Sequence, residues 1–112
     1  MIRSRQRPVL KAIANAEGLL PGTPAPDGTM DLRWQSIIQL TDFIETDPIP
    51  LWEFALKWGK HPQSDVRMAI ATCLLEHLLE HHAAMLRPRA MRAAAKSARF
   101  ARTLKSCWPN VR

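Results

Sequence analysis

The chain has 112 residues, a hydrophobic share of 46% and a formal net charge of +6 at neutral pH. This length fits one domain with a modest core, and no apolar run reaches the roughly 18 residues that a membrane span requires. The basic N-terminus is followed by a mixed segment and not by an uninterrupted apolar stretch, which makes a poor secretory signal. We therefore predict one cytoplasmic domain over residues 1–112, without membrane association.

Charge is distributed unevenly along the sequence. Residues 1–12 contain four bases and no acids, residues 13–82 contain ten acids and four bases, and residues 83–112 contain eight bases and no acids. Such asymmetry concerns the partners of a protein and not its fold. The basic C-terminal third therefore predicts a surface that attracts an anionic partner.

Helical periodicity and the lack of strand signals predict an all-α domain of about five helices. Tyrosine is absent, and no stretch alternates apolar with polar residues for long. The first helix is predicted over Pro8–Glu17, with Gly18 as its stop. Residues 18–28 then hold three of the four glycines and three of the nine prolines. This composition predicts a flexible linker between helix 1 and the rest.

The second predicted helix begins near Asp27, Thr29 or Asp31 and runs to about Thr46, with Arg33 on its polar side. A third helix is predicted over Ile49–Trp58. The apolar positions of the second helix are Leu32, Ile37, Ile38, Leu40 and Ile44.

The fourth helix, predicted over Ser64–His82, has an apolar sector too wide for a surface helix, so we expect it at the centre of the fold. The expected solvent-exposed positions of this helix are Ala69, Thr72, Glu76 and Glu80. A fifth helix is predicted over Pro88–Cys107. Its expected apolar side is Ala90, Ala93, Ala94, Ala101, Leu104 and Trp108, and its basic side includes Arg89, Arg92, Lys96 and Arg99.

The third and fourth helices carry a recognisable residue pattern. Leu51-Trp52-Glu53-Phe54-Ala55-Leu56 precedes the turn His61-Pro62-Gln63-Ser64, and Asp65-Val66-Arg67-Met68-Ala69-Ile70-Ala71 follows it. This order resembles a HEAT-type helical repeat over Ile49 to His82. The resemblance implies antiparallel helical hairpins, packed as a short α-solenoid or a compact α-bundle. HEAT repeats form scaffolds, so the resemblance implies binding and no particular chemistry.

A second triplet, Asp31-Leu32-Arg33, stands 34 residues before Asp65-Val66-Arg67, a spacing that suggests an internal helical repeat. Two and a half such units would leave one apolar side uncovered. A protein partner or a second copy of the chain would then cover it.

The basic fifth helix is the main candidate binding surface. It carries Arg89, Arg92, Lys96, Arg99 and Arg102, and the N-terminus adds Arg3, Arg5, Arg7 and Lys11. Such a stripe can follow a phosphate backbone. An anionic protein surface would satisfy the same residues, and so would water around a solvated face.

Two further groups of residues have competing interpretations. Cys73, His77 and His81 are spaced four apart on one predicted helix, as weak candidates for zinc ligands, but packing at the edge of the core explains them better. No metal or other cofactor is therefore predicted, and both cysteines are expected to be reduced. Tryptophan side chains can stack on bases or anchor a peptide, but helical spacing favours core positions. The tryptophans are Trp34, Trp52, Trp58 and Trp108.

Motifs of catalysis do not occur in the sequence, which has no glycine-rich phosphate loop and no serine nucleophile motif. We therefore predict a non-enzymatic helical interaction module that binds a protein partner or self-associates. The alternative is a nucleic-acid-binding protein that uses the basic fifth helix and the basic N-terminus.

Overall fold

The computed structural model describes residues 7–20, 22 and 30–107, and within these ranges the chain forms helices and turns without any strand. The prediction of an all-α fold is confirmed. None of the helices in this part of the chain is long and apolar enough to cross a membrane. The helices are α1 (Arg7–Leu19), α2 (Leu32–Gln39), α3 (Pro48–Trp58), α4 (Ser64–Ile70), α5 (Glu76–His81), α6 (Ala83–Lys96) and α7 (Ala98–Lys105), with a 3-10 turn at Leu40–Phe43 and a π turn at Ala71–Leu75.

Helix α4, the π turn and α5 form one continuous helical stretch at the centre of the fold, as predicted. In the π turn, the N–H of Glu76 donates to the carbonyl of Ala71, five residues earlier. Ala69 was expected to face water, and this is wrong, because α2, α3 and α7 pack against α4 and leave Ala69 1% exposed. The residues of this stretch with no exposed surface are Ile70, Ala71, Leu74, Leu75, Leu78 and Leu79.

Helix α2 differs most from its prediction. Asp31 caps it by accepting a hydrogen bond from the N–H of Arg33, and the α-helix ends at Gln39, well before Thr46. The expected core positions Leu32 and Ile38 are 61% and 43% exposed, whereas Arg33, expected on the polar side, is 4% exposed. The inward face of this segment consists instead of Arg33, Ser36, Ile37 and Leu40, which are spaced three and four residues apart.

The predicted fifth helix is two helices. Helix α6 begins at Ala83, so Pro88 lies inside it, in a turn where both Ala84 and Pro88 are exposed and water can solvate the carbonyl that loses its donor. The chain then breaks at Ser97, which is extended, with φ −138° and ψ 115°, and whose hydroxyl accepts a hydrogen bond from the N–H of Phe100. Trp108 lies outside the described residues.

The N-terminal helix runs two residues past its predicted end. Gly18 lies within α1, and Leu20, whose N–H donates to the carbonyl of Ala16, is fully buried. On α1 itself, Val9 and Ala16 are buried. The flexible linker over residues 18–28 stays a prediction, since residues 21 and 23–28 lie outside the described ranges.

Candidate functional site

Helices α3 and α6 form the walls of a groove of about 600 Å³. We call it the basic groove, because four of its lining side chains are cations. It is lined by Trp52, Leu56, Lys60, Arg89, Arg92, Ala93, Lys96 and Ser97.

Each wall contributes residues that share one face of its helix. Trp52 and Leu56 are one turn apart on α3, and Lys60 follows the end of that helix at Gly59. On α6, Arg89, Arg92, Ala93 and Lys96 have the spacing of one helix face. Trp52, Leu56 and Ala93 are buried or partly buried and form the apolar floor of the groove, whereas its four cations are exposed.

All the charged side chains that line the basic groove are positive. Lys60, Arg89, Arg92 and Lys96 are all exposed, and no carboxylate lines the groove in the part of the chain that the structure describes. The carboxyl end of α3, next to Lys60, carries the negative end of the helix dipole and favours a cation there. Arginine and lysine offer hydrogen-bond donors and no acceptors, so the groove suits carboxylate or phosphate oxygens.

Helix α7 supports the floor of the basic groove from behind. The ring of Phe100 meets Trp52 edge to face, with centroids 5.9 Å apart, and Phe100 has no exposed surface. The hydroxyl of Thr103 donates to the carbonyl of Gly59. Sequence reasoning missed Phe100 because it treated residues 88–107 as one helix. Ser97 three residues before Phe100 was the available signal for a new helix start.

The five basic residues predicted as one stripe are separated by the break at Ser97. Arg89, Arg92 and Lys96 line the basic groove, while Arg99 and Arg102 lie on α7 and do not line it. Arg99 acts instead on His61: burial first, then the charges of Arg67 and Arg99, lower the pKa of this imidazole. The predicted binding residues thus form two groups, and Lys60, which the sequence did not single out, joins the first.

His61 lies outside the groove against the indole of Trp58, with ring centroids 5.5 Å apart and planes nearly parallel. Its Nδ1 accepts a hydrogen bond from the N–H of Gln63, so the neutral ring carries its proton on Nε2. Trp58 is 9% exposed and Trp52 5%, as the prediction of core tryptophans requires, and Trp34 is partly buried against the core.

The weak metal candidates line a second groove, of about 520 Å³, between α2 and the central helical stretch. Cys73, His77 and His81 share it with the carboxylates of Asp42 and Glu45. Within residues 7–20, 22 and 30–107, no three histidine, cysteine or acidic side chains come close enough to hold a metal ion. Burial raises the pKa of the Cys73 thiol, which disfavours the thiolate that a metal requires.

Comparison of the chain with protein-family models, with curated proteins and with solved structures finds no match.

Proposed function

We propose that this protein is a non-enzymatic helical interaction module that binds an anionic segment of a partner protein in the basic groove. One observation supports this most: four exposed cations surround an apolar floor, with no carboxylate among the described lining side chains. One wall is α3, the first helix of the hairpin that resembles a HEAT-type repeat. In this proposal that hairpin is the scaffold which presents the groove.

The burial of Trp52 favours a protein segment over a single-stranded nucleic acid. Nucleic-acid-binding grooves of this kind stack bases on exposed aromatic faces. Trp52 is 5% exposed, and Phe100 packs against it. Leu56 and Ala93, by contrast, are only partly buried and leave apolar surface that the apolar side chains of a peptide can cover.

Nucleic acid is the second candidate, because residues 83–112 contain eight bases and no acid. Binding of this kind would recruit Arg99 and Arg102 as well as the groove residues, since phosphate contacts accumulate along a strand. It would also weaken steeply with salt.

A pair of matched charge reversals tests the proposal. Arg92→Glu/Lys96→Glu changes two groove residues, whereas Arg99→Glu/Arg102→Glu changes the net charge equally outside the groove. Fluorescence anisotropy would measure the affinity of each variant for a labelled peptide of glutamate and leucine, and for labelled oligothymidylate and duplex DNA. Thermal unfolding, monitored by circular dichroism, would verify that both variants fold.

We expect the groove variant to bind the peptide at least about tenfold more weakly than wild type, and the α7 variant to retain most of its affinity. Equal losses in the two variants would mean attraction by net charge alone, and would overturn the groove assignment. Tighter binding of oligonucleotide than of peptide, with equal losses in both variants, would establish the second candidate.

A further inference from the structure

Hydrogen-bonding capacity in the basic groove restricts the backbone conformation of its occupant. The four cations donate only, and the Ser97 hydroxyl, which accepts the N–H of Phe100 at 3.1 Å, keeps a single further lone pair, so the lining side chains offer few acceptors. An extended peptide on this floor would bury N–H groups without an acceptor, and the described residues contain no strand whose edge could pair with it. A helical peptide satisfies its own backbone groups and has no such cost.

The length of the cationic wall also fits a helix. Arg89, Arg92 and Lys96 extend along two turns of α6, a rise of about 10 Å. Lys60 lines the same groove from just beyond the end of α3, the other wall. A helix lying between the walls would meet cations on both sides and apolar groups beneath it.

We propose that the occupant is an acidic amphipathic helix of a partner protein. This inference rests on the proposed function and names the class of its ligand. Apolar side chains of the helix, spaced three and four residues apart, contact the partly buried Leu56 and Ala93 and the small exposed edge of Trp52. Carboxylates on its two flanks pair with Lys60 on one side and with Arg89, Arg92 and Lys96 on the other.

A second copy of this chain fits the groove less well than a different protein. The exposed acids of the described residues are dispersed: Asp42 and Glu45 follow α2, Glu53 is on α3 and Glu80 is on α5. Helices α6 and α7 contain no acid at all. None of the described helices thus combines an exposed apolar stripe with acids on both flanks.

Three peptides of equal charge test whether the occupant of the groove is an amphipathic helix. The first has glutamate and leucine arranged as an amphipathic helix, the second has the same composition permuted so that no apolar face forms, and the third replaces leucine with serine. Anisotropy measures their affinities, and circular dichroism measures the helicity of each peptide with and without protein. The protein variants are Leu56→Ser, on the groove floor, and Met91→Ser, which changes a 56% exposed residue of α6 outside the groove lining.

We expect the amphipathic peptide to bind about tenfold or more tightly than the other two and to gain helicity on binding. Leu56→Ser should weaken the binding of this peptide about fivefold or more without changing the binding of the serine peptide. Met91→Ser should leave the affinity for both peptides unchanged.

Other outcomes overturn different parts of the argument. Equal affinity of the amphipathic and permuted peptides would overturn the helical occupant while the proposed function stands. Failure of all three peptides to bind at low salt would overturn the proposed function itself. A concentration-dependent dimer that Arg92→Glu/Lys96→Glu abolishes, seen by sedimentation equilibrium, would replace the partner helix with a second copy of the chain.

Discussion

Arg33 and Asp65 belong to the two Asp-X-Arg triplets of the sequence, and the guanidinium of Arg33 donates a hydrogen bond to the carboxylate of Asp65. The same nitrogen donates to Asp31 at 2.8 Å, and Nε of Arg33 donates to Asp31 at 3.1 Å. The Arg33 side chain is 5% exposed and that of Asp65 40%. The first triplet is thereby joined to the second, which connects the start of α2 to the start of α4.

The two triplets are not equivalent in structure, although 34 positions separate them. Asp31 precedes its helix and caps it, whereas Asp65 is the second residue of α4. Arg67 donates to the carbonyls of His61 and Pro62 and does not bind a carboxylate in the described contacts. A strict repeat would have given both triplets one role.

Asp65→Asn should destabilise the fold by about 1–3 kcal/mol, because the buried guanidinium of Arg33 then keeps a single carboxylate partner. Urea unfolding followed by circular dichroism measures the change. Asp42→Asn, the same substitution at an exposed carboxylate, should shift the free energy of unfolding by less than about 0.5 kcal/mol. Identical midpoints for the two variants would contradict a stabilising role for the Arg33–Asp65 pair.

Glu17 gives the stability of the protein a pH dependence. Its Oε2 accepts hydrogen bonds from the indole N–H of Trp58 and from the ammonium of Lys57, both at 3.0 Å. The Trp58 bond first, and then Lys57, lower the pKa of Glu17 against the opposing effect of burial. A carboxyl whose pKa is lower in the folded chain stabilises the fold above its unfolded pKa, and this contribution disappears as the pH falls through the folded pKa.

Glu17→Gln should therefore lower the free energy of unfolding at pH 7 by less than about 1 kcal/mol, since the side chain is 34% exposed and water screens it. The difference from wild type should shrink as the pH falls below about 4.3, the usual glutamate pKa. Urea midpoints across a pH series measure it, with Glu53→Gln as an exposed control. A difference that persists unchanged in acid would show that the charge of Glu17 is not responsible.

Gly59 and Gly18 form a matched pair of glycine sites. A Cβ at Gly59 would lie 2.6 Å from the carbonyl oxygen of Ala55 and 3.1 Å from the ring of Phe100, whereas a Cβ at Gly18 would meet nothing within 4 Å. Gly59→Ala should lower the free energy of unfolding by about 1–3 kcal/mol, because the Ala55 carbonyl and the Phe100 ring must both shift. Gly18→Ala, inside α1, should raise the free energy of unfolding by about 0.5–1 kcal/mol, because alanine favours the helix more than glycine does. Melting temperatures that change in the same direction would refute this contrast.

Leu74→Asp tests the position of the core. Leu74 has no exposed surface and lies in the π turn of the central helical stretch. A carboxylate there would be buried without a partner, and we expect the helical circular dichroism signal to be lost or the chain to unfold far below the wild-type temperature. Met91→Asp, at an exposed position of α6, should leave melting nearly unchanged. A wild-type melting curve for Leu74→Asp would show that this stretch is not the core.

The two free cysteines should differ in reactivity. Burial raises the pKa of Cys107 to about 12 and also raises that of Cys73, so both thiols are protonated at neutral pH. Because Cys107 is 4% exposed and Cys73 is only partly buried, we expect a disulfide reagent at pH 7 to label Cys73 slowly and Cys107 only on unfolding. Cys107→Ser should leave the slow phase intact. Rapid labelling of both thiols in the native protein would contradict this burial.

The sequence predicted the helical class and the centre of the fold because the relevant pattern is local and dense. The stretch from Ile70 through Leu79 contains six apolar residues that are fully buried, which requires other helices to pack around it. Helix ends were less predictable. Pro88 lies inside a helix because its neighbourhood is exposed, and the short polar residue Ser97 breaks a pattern that otherwise resembles one amphipathic helix.

The candidate site was only partly predictable. Arg89, Arg92 and Lys96 follow from helical spacing on one element, and that spacing alone places them together. Lys60 and the floor residues Trp52 and Leu56 belong to α3, which is distant in the sequence, so no local pattern connects them to α6.

By itself the sequence determined that the chain is helical, that its fourth predicted helix is central and that its basic residues concentrate toward the C-terminus. The tertiary structure alone decided that Arg33 is buried between two carboxylates, that Lys60 lines the same groove as the arginines of α6, and that Arg99 and Arg102 do not line it. Hydrophobic periodicity is a property of neighbouring residues. Whether a charged side chain meets water, a partner or another cation depends on helices brought together by packing.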